Sequence, residues 1–169
     1  LQDPNNGVDC DEKKEAMLHM FDQSCVALIY GSAGTGKSTL INHLSHYFAA
    51  NSKLFLAQTN PAVDNLKRKV TAADSEYMTI AKFVKRSNIR TEYDVLVIDE
   101  CSTVSNKDMW QVLQKAQFKI LILVGDTYQI SAIRFGNWFS VARAFIPETA
   151  VFELTKPYRT NDTGLLTLW

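Results

Sequence analysis

The run Gly31-Ser32-Ala33-Gly34-Thr35-Gly36-Lys37-Ser38-Thr39 restricts what this chain can fold into more than any other stretch. It fits the phosphate-loop pattern G-x-x-x-x-G-K-[ST], which works only as the turn between a strand and a helix. The residues before it, Cys25 to Tyr30, are apolar and read as a buried strand. The residues after it, Thr39 to Phe48, space their apolar side chains as a helix does. Glycines let successive N–H groups turn inward around phosphate oxygens, and the helix start adds its positive dipole end. In that arrangement Lys37 reaches the β- and γ-phosphates and Ser38 ligates Mg²⁺. With glycine at roughly 7% of residues in proteins, a chance match in a chain this long is below about one in a hundred.

At 169 residues, 46% hydrophobic and 21% charged, the chain holds one ordinary domain with a full core. No apolar run approaches transmembrane length, so no membrane role is expected. Leu1 to Gly7 lacks a starting Met and an apolar h-region and does not read as a signal peptide. Residues 1–8 read instead as a flexible edge. Cys10, Cys25 and Cys101 are widely spaced and form no CxxC. They read as reduced thiols of a cytoplasmic protein rather than as disulfides or a zinc site. The 18 basic and 18 acidic residues cancel. A nucleic-acid partner would normally leave a basic excess, so net charge lends that idea no support, though a local basic groove is compatible with it.

Along the chain, Asp11 to Phe21 has helical spacing. Lys53 to Ala57 reads as a second strand. Asn60 as N-cap and Pro61 as first helical residue predict a helix to about Val70, with Lys67, Arg68 and Lys69 in its last turn. Thr71 to Tyr77 reads as a polar connection, and Thr79 as the cap of a short helix over Ile80 to Val84. Lys82, Lys85, Arg86 and Arg90 make this the most basic part of the chain, read as a solvated face ahead of a phosphate contact. Asp94 to Ile98 is a continuous apolar strand. Lys107 to Ala116 reads as a helix with Met109, Trp110, Leu113 and Ala116 as its core stripe. Lys119 to Val124 is another buried strand. A helix from about Trp138 to Phe145 and a strand over Ala150 to Leu154 follow. The expected fold is α/β, with a mostly parallel five-stranded sheet and helices on both faces.

Ligands of such sheets bind beyond the carboxyl ends of the strands. Three strands here end in chemistry. One delivers the phosphate loop. One delivers Asp99-Glu100 after four buried aliphatics: Asp99 suits Mg²⁺, and Glu100 can orient and deprotonate an attacking water. One delivers Gly125-Asp126-Thr127-Tyr128-Gln129, whose Gln129 amide can bond a γ-phosphate.

These segments carry a family resemblance. Gly31 to Thr39 resembles helicase motif I, Gln58 to Leu66 motif Ia, and Asp99-Glu100-Cys101-Ser102 motif II. Leu123 to Gln129 resembles motif III, and Leu154-Thr155-Lys156-Pro157-Tyr158-Arg159-Thr160 motif IV. Their order and spacing resemble superfamily 1 DNA/RNA helicases. The run Gln129 to Gly136 leans to the B-type branch, related to the exonuclease V alpha subunit. The resemblance implies a RecA-like P-loop NTPase domain over residues 9–160, with the motif III strand between the motif I and motif II strands. It implies ATP and Mg²⁺ bound by Gly31, Ser32, Ala33, Gly34, Thr35, Gly36, Lys37, Ser38 and Thr39 with Asp99. Lys37, Glu100, Gln129 and Arg159 are the expected catalytic set. Thr59, Asn60 and Pro61 are expected beside single-stranded DNA, with RNA an open alternative.

The resemblance also implies a second RecA-like domain, of which residues 161–169 would be the start or the linker. One such domain alone should bind ATP, hydrolyse it slowly and separate no strands. Two departures stand out. Lys13 occupies the place where the family carries an adenine-reading Gln, which puts adenine selectivity in question. Ala81 follows Thr79-Ile80 where the family often has a His, which puts one nucleic-acid contact in question. A small-molecule phosphotransferase and a non-enzymatic ATP switch are the rival readings. Nothing resembles an acceptor pocket, and Glu100 and Gln129 suit water as nucleophile.

Overall fold

The computed structural model describes residues 21, 24–126 and 138–155. Six strands lie side by side in one sheet: β1 (Val26–Gly31), β2 (Lys53–Ala57), β3 (Ser75–Thr79), β4 (Val95–Ile98), β5 (Ile120–Gly125) and β6 (Val151–Leu154). Their order is β3-β2-β4-β5-β1-β6, and every pairing is parallel. Parallel strands need crossovers, and the helices that supply them cover both faces. One face carries α1 (Lys37–Tyr47) and α2 (Asn60–Lys69). Leu40, Ile41, Leu44, Val63 and Leu66 there pack on Ala27, Ile29, Phe55, Val97 and Val124. The other carries α3 (Ile80–Lys85), α4 (Asn106–Lys115) and α5 (Trp138–Arg143). Phe83, Met109, Val112 and Phe139 there pack on Leu28, Leu54, Leu96, Ile98 and Leu123. Strands buried on both faces explain the unbroken apolar runs in the sequence.

The α/β fold is as expected, with six strands rather than five. The additional one, β3, lies partly where a polar connection was read. Its sequence, Ser-Glu-Tyr-Met-Thr, shows no apolar run because it is an edge strand, with β2 its one neighbour among the described residues and Met78 its one buried side chain. Tertiary contact identifies it: the Tyr77 ring stacks on Phe55 with centroids 4.6 Å apart, and its hydroxyl donates to the Val70 carbonyl at 2.9 Å.

Two local readings are also corrected. Thr59, not Asn60, caps α2: its side-chain oxygen accepts from the Ala62 amide at 3.3 Å, and Asn60 is the first helical residue. On α4 the core stripe is Met109, Val112 and Ala116, while Trp110 is 62% and Leu113 43% exposed. The buried stripe is narrow, and residues one position further on turn about 100° away from it.

At the amino ends of the strands, Asp94 ties three elements together. Its carboxylate accepts from the Ser52 amide at 2.9 Å and hydroxyl at 3.1 Å, and pairs with Lys119 at 2.7 Å. Lys119 and those Ser52 bonds hold the Asp94 carboxyl below the usual carboxylate range.

Candidate nucleotide-binding site

The strand order brings the chemistry to one end of the sheet. β1, β5 and β4 are neighbours, so the phosphate loop, Gly125-Asp126 and Asp99-Glu100 emerge side by side. The motif III strand lies between the other two, as the resemblance implied. The Gln58-Thr59 end of β2 and the Thr79 end of β3 continue the same row.

The phosphate loop is shaped by two left-handed glycines, Gly34 at φ 91° and Gly36 at φ 84°. Gly36 is the N-cap of α1 and supplies no side-chain cap bond, so the amides of the first turn remain directed outward for an anion. Thr35, fully buried, holds the loop from inside: its hydroxyl donates to the Ser32 carbonyl at 3.0 Å. Lys37 Nζ lies over the loop and donates to the carbonyls of Gly31 at 2.6 Å and Ser32 at 2.8 Å. The ammonium is thus held against the backbone of the loop. Ser38 is half-buried one residue on, Thr39 exposed beside it, and Ala33 exposed at the loop tip.

Asp99 leaves the buried strand β4 with its amide bonded to the Leu56 carbonyl of β2 at 2.9 Å. Burial pushes its carboxyl up to about 6, and the adjacent Glu100 charge adds to that. The Glu100 amide, donating to Asp99 Oδ1 at 2.9 Å, and the Lys37 charge oppose the shift. Glu100 is exposed and left-handed at φ 52°. Its carbonyl accepts the Thr103 amide at 2.9 Å and hydroxyl at 2.8 Å, which holds this uncommon conformation. Among the described residues no three His, Cys, Asp or Glu side chains converge as a metal cage.

Thr59, Asn60 and Pro61 are all exposed at the carboxyl end of β2. The basic helix α3 is held at both ends. Thr79 Oγ1 accepts the Lys82 amide at 3.2 Å. Lys115 Nζ donates to the carbonyls of Phe83 at 2.6 Å, Val84 at 3.1 Å and Arg86. Gln129, Arg159 and Lys13, like the expected helix over Asp11 to Phe21 apart from Phe21, lie outside the described residues. Cys25 and Cys101 are free thiols, one exposed and one buried, and Cys10 is outside the described set.

Four residues of this end carried no motif signal. Arg143 donates to the Tyr30 hydroxyl at 2.7 Å, Tyr30 donates to Glu153 at 3.3 Å, and the Trp138 indole donates to the Val104 carbonyl at 2.6 Å. Each is a single polar or aromatic residue whose partner is at least 34 positions away.

The AAA domain family matches residues 10–168 of the chain. Across 161 residues the chain is 29% identical to a probable conjugal transfer protein TraA of Sinorhizobium fredii, covering 90% of this chain and 14% of that one. Across 131 residues it is 27% identical to the replicase polyprotein 1ab of bat coronavirus HKU9, covering 63% of this chain and 2% of that one. Among solved structures it resembles the Pif1 helicase of Candida albicans, with a TM-score of 0.63 at 21% identity over 95% of this chain and 43% of that chain. It also resembles Bacteroides Pif1 bound to single-stranded DNA, with a TM-score of 0.64 at 16% identity over 96% of this chain and 45% of that chain. These two likenesses show the fold. The chain spans a small part of the curated relatives and under half of the solved ones. No helix among the described residues is long and apolar enough to cross a membrane.

Proposed function

The chain belongs to the AAA domain family, and from that premise we propose that it is the ATP-binding and ATP-hydrolysing motor domain of a superfamily 1 helicase or translocase, of the B-type branch, acting on single-stranded DNA. One observation carries the reading. Three neighbouring strands present a phosphate loop, an Asp-Glu pair and Gly125-Asp126 at the same end of one parallel sheet.

The backbone amides of residues 32–37 and the Lys37 ammonium hold the β- and γ-phosphates. Ser38 and Asp99 are the residues that would hold Mg²⁺, which supplies charge neutralisation at those phosphates when bound. Glu100, exposed beside Asp99, takes a proton from the attacking water. Gln129 bonds the γ-phosphate, and Arg159 stabilises charge developing on it. Thr59, Asn60 and Pro61 face the nucleic-acid strand from the tip of β2. The work of translocation belongs to this domain together with a second RecA-like domain of the longer protein.

Phosphate release measured with and without a single-stranded oligonucleotide tests the reading. ATP turnover that rises with the oligonucleotide and disappears in Glu100→Gln supports a nucleic-acid motor. Turnover indifferent to oligonucleotide points to a phosphotransferase or switch instead.

A further inference from the structure

Helix α5 spans only six residues, about 9 Å, yet it is fixed at both ends to segments of the nucleotide site. At its start, the Trp138 indole N–H donates to the Val104 carbonyl at 2.6 Å and the Trp138 amide donates to Asn106 Oδ1 at 3.2 Å. Val104 closes the turn that begins at Asp99-Glu100, its own amide bonded to the Cys101 carbonyl at 3.2 Å. At the same end, Phe139 is pressed on the end of β5. A Cβ on Gly125 would stand 2.9 Å from the Phe139 ring and 3.2 Å from the Cys101 sulfur. At its last residue, Arg143 donates to the Tyr30 hydroxyl at 2.7 Å and lies over that ring at 4.6 Å, while Tyr30 donates to Glu153 Oε2 at 3.3 Å. Tyr30 immediately precedes Gly31, the first residue of the phosphate loop.

The two ends differ in their surroundings. The Trp138–Phe139 end packs on buried Cys101 and Val104. The Arg143 end borders an open cleft of about 540 Å³ lined by Tyr30, Arg143, Ala144, Ile146, Glu148 and Val151. A bond beside open space can break and re-form while the buried side chains keep their places, whereas the packed end must move as a body. A latch at one end and a rigid seat at the other is the construction of a strut.

We propose that α5 is a strut that carries the state of the phosphate-loop strand to the turn after Asp99-Glu100, with Arg143 and Trp138 as its two attachments. This rests on nucleotide binding at the phosphate loop. Nucleotide taken up there shifts the Tyr30–Arg143 latch, and the indole of Trp138 reports the shift at the far end.

The test uses the 169-residue chain with Trp110→Phe and Trp169→Phe, which leaves Trp138 as its one tryptophan. A non-hydrolysable ATP analogue with Mg²⁺ is titrated by calorimetry and by Trp138 emission. The expected result is an emission change with the calorimetric midpoint. In Tyr30→Phe or Arg143→Met the midpoint stays within about threefold, while the emission change falls by more than half. The double variant loses no more than either single one, as two halves of one bond should. A full emission change in Arg143→Met overturns the proposal, as does calorimetric binding by the parent with no emission change. Absence of calorimetric binding by the parent overturns the nucleotide reading itself, and the strut with it.

Discussion

Gly31 and Leu154 touch so closely that a Cβ at position 31 has no room unless the backbone shifts. A Cβ there would run into the Leu154 carbonyl oxygen, its register partner on β6, and would lie 2.8 Å from the Thr35 hydroxyl. Both obstacles are held in place, one as strand backbone and the other as a buried, hydrogen-bonded side chain. The start of the phosphate loop is therefore set by β6 as well as by β1. Gly31→Ala should force β6 away or distort the loop, at a cost of about 1–3 kcal/mol. That is a fall in Tm of roughly 2–12 °C for a chain of this size. Ala33→Ser, at the exposed loop tip, should leave Tm unchanged. Scanning calorimetry of the two variants checks the contrast.

Lys37 and Glu100 should separate binding from turnover. Lys37→Ala deletes the ammonium that lies over the loop and should weaken ATP binding by roughly 10- to 100-fold, the worth of a charge-assisted contact. Glu100→Gln keeps the shape of the side chain but cannot accept the proton. It should bind normally and lose about 10²–10⁴ in turnover. Calorimetric titration with a non-hydrolysable analogue, paired with phosphate release, reads both. Equal binding by Lys37→Ala and wild type would count against the phosphate-loop assignment.

The Asp94 knot at the opposite end of the sheet should make stability depend on pH. Its carboxyl is held below its ordinary value by Lys119 and Ser52. The unfolded chain therefore takes up the proton first as pH falls. The stabilisation is fully present above about pH 4, the unfolded value, and is lost as pH drops below it. Asp94→Asn should lower Tm at pH 7, and the gap to wild type should close progressively below pH 4. A gap of constant size across that range would show that charge is not what Asp94 contributes.

At the β2 tip, neighbouring residues should separate a cap from a contact. Thr59→Val removes the bond to the Ala62 amide and should cost about 1 kcal/mol of stability. Asn60→Ala should leave stability within about 0.5 kcal/mol, as exposed substitutions do, yet weaken binding of a labelled single-stranded oligonucleotide. That binding should fall with added salt. Fluorescence anisotropy at several salt concentrations, alongside thermal melts, separates the two roles. A salt-independent signal would remove the nucleic-acid part of the proposed function.

The elements legible in advance were those whose chemistry is local. The phosphate loop needs only consecutive residues, and two-sided burial wrote itself into the sequence of β4 and β5 as unbroken aliphatic runs. Thr79 was read correctly as a cap because a cap acts over three positions. Thr59 was passed over because Asn60, next to it, also suits a cap, and only the backbone geometry tells them apart. β3 carries no strand signal because half of an edge strand's surroundings is solvent, so its residues read as a polar connection and a helix cap. Trp110 reads as core yet lies exposed, because helical spacing gives the period of a stripe but not its phase.

By itself, then, the sequence determined the fold class, the P-loop turn and the Asp99-Glu100 pair, because each depends on residues adjacent in the chain or repeated at a fixed period. The tertiary structure decided how these meet: the order β4-β5-β1-β6, the pressure of Leu154 on Gly31, the raised proton affinity of half-buried Asp99, and the bonds from α5 to Tyr30 and Val104. These arise between residues tens of positions apart, and distance along the chain carries no record of distance in space once strands pair out of sequence order.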